Sequence, residues 1–168
     1  MNNKTQSGMT LIEIILVILL ISIFGSIASS KIGSSSSLTL GQQADLFLNE
    51  IRHAQSLAQL WGCDLTVVAN SSTYEIRNRI VVNGKTQCSI ANSVIKDPST
   101  GQNLLINLKQ GVLLSPTGSF YFDHKGIPRD SATTAILAAA TTYTLSGDGN
   151  TYTVTISDIT GFVSVVGP

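Results

Sequence analysis

Residues Gly8-Met9-Thr10-Leu11-Ile12-Glu13-Ile14 open a stretch that continues as Ile15-Leu16-Val17-Ile18-Leu19-Leu20-Ile21 and stays largely apolar to Ala28. From Met9 to Ala28, fifteen of twenty residues are Met, Leu, Ile, Val, Phe or Ala. A helix of that length rises about 1.5 Å per residue and spans roughly 30 Å, one hydrocarbon core. Glu13 does not fit a plain apolar helix. A charged side chain near the bilayer centre costs about 2.5–3.5 kcal/mol even on insertion scales, and no Lys, Arg or His lies between Thr5 and Ser30 to offset it.

Three readings of this segment compete. A cleaved signal peptide would use Lys4 as its basic start and Ala28 and Ser30 as the small residues before the cut. A plain signal anchor would keep the same stretch uncut. Neither accounts for Glu13. A cut between Gly8 and Met9 does: it removes the polar leader Met1-Asn2-Asn3-Lys4-Thr5-Gln6-Ser7-Gly8 and frees an α-amino group on Met9. With an ordinary pKa of about 7.7–8.0, that amine is largely cationic at neutral pH. It can pair with Glu13 of its own chain or of a neighbour, and the acid becomes a specific contact.

The run Gly8-Met9-Thr10-Leu11-Ile12-Glu13-Ile14 resembles the type IV prepilin signature of Gly, a hydrophobic residue, Thr, Leu, an aliphatic residue and Glu. The family's usual residue after the Gly is Phe; here it is Met9. The resemblance implies cleavage after Gly8 by a dedicated inner-membrane peptidase and N-methylation of Met9. It also implies assembly with other pilins or pseudopilins through the N-terminal helix, with Glu13 taking part. The implied partners are the prepilin peptidase and methyltransferase, an inner-membrane assembly platform and, before assembly, membrane lipid. The implied location is a bacterial inner membrane, crossed once with the head in the periplasm, and then a pilus or pseudopilus.

Beyond the apolar stretch, Gly33-Ser34-Ser35-Ser36-Ser37 lowers helix propensity and marks a joint. Helical periodicity then returns, with Ala44, Phe47, Leu48, Ile51, Ala54, Leu57, Ala58 and Trp61 at three- and four-residue steps and Gly62 as the stop. From Asp64 onward the pattern is period two. Strands are expected at 65–68, 74–76, 80–82, 89–90, 94–95, 104–106, 112–114, 120–122, 142–145, 152–156 and 162–166, with Ser146-Gly147-Asp148-Gly149-Asn150 as a hairpin turn. The expected organisation is a leader at 1–8, a transmembrane and filament-core helix at 9–31, a Ser/Gly-rich joint at 32–41, an amphipathic helix at 42–62 and a β-rich head at 63–168. The fold class is α+β, with antiparallel sheet around the amphipathic end of the helix; the pilin resemblance implies the same architecture.

The C-terminal half narrows the family. Phe120-Tyr121-Phe122-Asp123-His124-Lys125-Gly126-Ile127-Pro128-Arg129, then a hairpin, then Thr160-Gly161-Phe162-Val163, resembles the group of H-type pseudopilins of type II secretion, FimT-like minor pilins and MshC-like minor pilins. That group shares an aromatic strand, a Gly-containing turn and a final strand after a Gly. Cys63 and Cys88 are expected to be bridged if the head faces an oxidising compartment, the alternative being two separately buried thiols. MshC-like subunits fit best among those with a Cys pair. An alternative function is DNA binding at a pilus tip used in DNA uptake, with Lys125 and Arg129 as contacts.

Composition restricts the other classes. Ten Lys and Arg balance ten Asp and Glu, and only 12% of residues are charged, so no cationic cluster favours nucleic acid. Gly84-Lys85-Thr86 lacks a P-loop's upstream Gly, since Arg79 stands there. His53 with Asp45 and Glu50, and His124 with Asp123, come without a nucleophile at a recognisable spacing. Asp148-Gly149-Asn150 lacks the acidic density of a calcium loop, and two Cys with two His are a poor zinc set. No enzymatic activity, metal or cofactor is expected.

Overall fold

The computed structural model describes residues 12–17, 35–80, 84 and 86–168. Residues 12–17 are helical and exposed, and they contain Glu13. The leader, Gly8, Met9 and most of the expected 9–31 helix lie outside the described residues. Among the described residues, no helix is long and apolar enough to cross a membrane.

The head, from residue 36 onward, forms a compact unit with its own core. Its helix, α1, runs Ser35–Trp61. It therefore starts inside the expected 32–41 joint, a correction to that boundary. Leu40, 1% exposed, is already part of the core at this point. Its burial outweighs the few tenths of a kcal/mol per residue, roughly, by which Ser and Thr fall behind better helix formers. The expected stripe forms the inner face: Ala44, Phe47, Leu48, Ile51, Ala54, Leu57 and Ala58 are all buried, and Trp61 is half-buried against them. The helix ends on Gly62, whose φ of 65° puts it in the left-handed region. The Cys63 amide bonds back to the Ala58 carbonyl at 3.1 Å, which satisfies an end carbonyl that would otherwise be unpaired.

Nine strands follow: β1 Leu65–Ala69, β2 Thr73–Asn78, β3 Leu105–Asn107, β4 Leu113–Ser115, β5 Gly118–Phe122, β6 Pro128–Asp130, β7 Thr141–Gly147, β8 Asn150–Ile156 and β9 Val163–Val166. They form two antiparallel sheets, of order β3-β2-β1-β5-β6 and β4-β7-β8-β9. Leu65, Val67, Tyr74, Ile76, Phe120 and Phe122 of the first sheet share one core with Leu114, Tyr143, Leu145, Val154, Ile156 and Val163 of the second. Phe47 joins the layers. Its ring meets Tyr74 edge-on at 4.8 Å and Tyr143 at 5.6 Å, separations at which aromatic pairs attract beyond simple burial. Burial raises both phenols' pKa values, that of Tyr143 to about 12.

Two expected strands are absent as such. Ser89-Ile90 is a bend after a 3-10 turn at Thr86–Cys88, because the chain must curl there to bring Cys88 to the end of α1. Val94 makes only an isolated bridge to Arg77. Of the expected 80–82 strand, residues 81–82 lie outside the described residues and Ile80 is a bend. The structure adds β6, a short edge strand that opens on Pro128, where a missing amide is tolerated.

Candidate functional site

Polar side chains flanking the apolar stripe of α1 tie the helix to two glycine turns. Arg52, Gln55 and Gln59 follow one another at three- and four-residue steps and so share one side of the helix. Arg52 Nη2 donates to the Val163 carbonyl at 2.7 Å. Gln55 Nε2 donates to the carbonyls of Gly126 and Thr160, both at 2.8 Å. Gln59 Nε2 donates to the Lys125 carbonyl at 3.0 Å. Gly126 and Gly161 are both left-handed, with φ of 78° and 68°, which costs glycine nothing. A Cβ on Gly126 would collide with the Gln59 side chain, and one on Gly161 would stand 3.2 Å from the Gly126 carbonyl oxygen. The two glycines therefore meet at the helix. The aromatic strand, the Gly turn and the strand after a Gly, which the sequence presents as separate signals, form one clasp.

Asp123 is the hub of the first turn. It is 5% exposed and accepts the amides of Lys125 and Ile127, each at 2.9 Å, and Arg129 Nε at 2.8 Å. Burial alone would raise its pKa. The Arg129 hydrogen bond and charge and the two amides outweigh that, and hold its carboxyl below the ordinary carboxylate range. The Asp123 hydrogen bond in turn raises the Arg129 pKa. Arg129 Nη1 also donates to the Thr134 carbonyl at 3.3 Å. Of the two candidate DNA contacts, Arg129 is thus committed within the turn, and only Lys125 projects as an exposed cation. His124 lies beside Asp64, its amide donating to Asp64 Oδ1 at 3.1 Å. This anchors the turn to the chain leaving α1.

A disulfide joins Cys63 and Cys88 across 6.4 Å of Cα separation, and both residues are buried. It fastens the excursion between β2 and β3 to the end of α1. His53 lies 3.7 Å from Glu50 on the helix, and among the described residues no group of three His, Cys, Asp or Glu is arranged to hold a metal. Glu13 is exposed in the helical residues 12–17, and Gly8 and Met9 are not among the described residues. The helix-to-turn contacts of Arg52, Gln55 and Gln59 were not anticipated from sequence. Their trace is the polar side of an otherwise apolar helical repeat, which by itself also fits a solvated face.

Comparison with known proteins adds two findings. A family model described as the prokaryotic N-terminal methylation motif matches residues 3–29. The minor pseudopilin EpsH from the type 2 secretion system of Vibrio cholerae superposes with a TM-score of 0.51 at 15% sequence identity, over 76% of this chain and 96% of that one. No curated protein matches. Helix α1 packed on antiparallel sheets thus gives the head the α+β fold of a minor pseudopilin, and the methylation motif precedes that head in sequence.

Proposed function

We propose that the chain is a structural, non-catalytic minor pilin or pseudopilin subunit. It enters the inner membrane as a precursor with its head in the periplasm, is cut after Gly8 and methylated on Met9, and joins a filament through the helix that begins at Met9. Glu13 pairs with the N-terminal amine of a neighbouring subunit, and the apolar residues from Leu11 to Ile21 pack helix on helix in the filament interior. The observation that carries this reading is one chain holding both the methylation motif at residues 3–29 and a head with the minor-pseudopilin fold. The likeness to a pseudopilin of a type 2 secretion system supports the H-type branch, and the Cys63–Cys88 bridge suits a periplasmic head.

Mass spectrometry of the mature protein tests the reading. It should find an N-terminal N-methylated Met9, and substitution of Gly8 by a bulky residue should leave the precursor uncut. An unaltered Met1 terminus on the assembled wild-type protein would refute it.

A further inference from the structure

We draw no further inference here: the strongest candidate, the hollow between Trp61 at the end of α1 and the 86–101 excursion that the Cys63–Cys88 bridge fastens, is lined by apolar, hydroxyl and oppositely charged side chains together, and nothing in the structure shows what covers it.

Discussion

Replacing Gly161 by alanine tests whether the clasp between the two glycine turns and α1 holds the head together. The φ of 68° at this position costs a residue with a Cβ about 1–2 kcal/mol. The new Cβ would stand 2.6 Å from Gln55 Nε2, 2.9 Å from Phe122 Cε1 and 3.2 Å from the Gly126 carbonyl oxygen. Gln55 can swing away, but only by giving up its bonds to Gly126 and Thr160. Phe122 is fully buried at 0% exposure and has nowhere to go; overpacking of this kind costs about 1–3 kcal/mol. Alanine also narrows the unfolded ensemble, which returns about 0.4–1 kcal/mol. The net expectation is a loss of roughly 2–4 kcal/mol. Gly149→Ala is the matched control: its φ is 76°, and nothing lies within 4 Å of the added Cβ. It carries the backbone penalty and the entropy offset without the packing conflict, so a loss of about 1 kcal/mol is expected. Urea denaturation of the full chain, followed by fluorescence of Trp61, the single tryptophan, measures both variants against wild type. If the two losses agree within about 0.5 kcal/mol, close packing at the clasp contributes nothing and the reasoning fails.

Removing the bridge by Cys63→Ala with Cys88→Ala should lower stability by about 3–4 kcal/mol for a loop closed across 25 residues, read as a lower urea midpoint. No change in midpoint would mean that backbone bonds alone hold the excursion to α1. The lowered Asp123 pKa means that the unfolded state binds the proton more tightly. Its contribution to stability is therefore complete above the ordinary carboxylate value of about 3.9 and is lost as pH falls through the lower folded value. Unfolding free energies measured from neutral to acid pH should fall less steeply for Asp123→Asn than for wild type, and parallel curves would show that the hub does not titrate with folding. Glu13→Ala should give a stable, processed chain that stays in the membrane fraction rather than the sheared filament fraction. Wild-type incorporation of that variant would remove Glu13 from assembly.

The parts of the fold legible in sequence are those where one-sided burial repeats. Ala44 through Ala58 alternate at helical steps because one side of α1 faces both sheets, and the Asp148-Gly149 turn stands out because the flanking strands β7 and β8 alternate cleanly. Where a contact between distant segments decides the local shape, the pattern misleads. Ser89-Ile90 looks β-forming, but the bond from Cys88 to Cys63 curls the chain there. Ser35 to Leu40 looks like a joint, but burial of Leu40 extends the helix through it. The clasp lies between these cases. Its residues, Phe122, Gly126 and Gly161, are visible in the sequence as a pattern, and the left-handed φ of each turn is a local reason for glycine, but nothing local shows that the two turns meet. The meeting comes from α1: Gln55 donates to the carbonyls of Gly126 and Thr160, so both turns approach one helix side, where a Cβ on Gly126 would collide with Gln59 and one on Gly161 would stand 2.6 Å from Gln55 Nε2. A head of this design therefore constrains its glycines through two glutamines on another element, Gln59 at Gly126 and Gln55 at Gly161, so Gln55→Ala should relieve part of the steric penalty of Gly161→Ala, whereas the backbone penalty of the left-handed φ should persist.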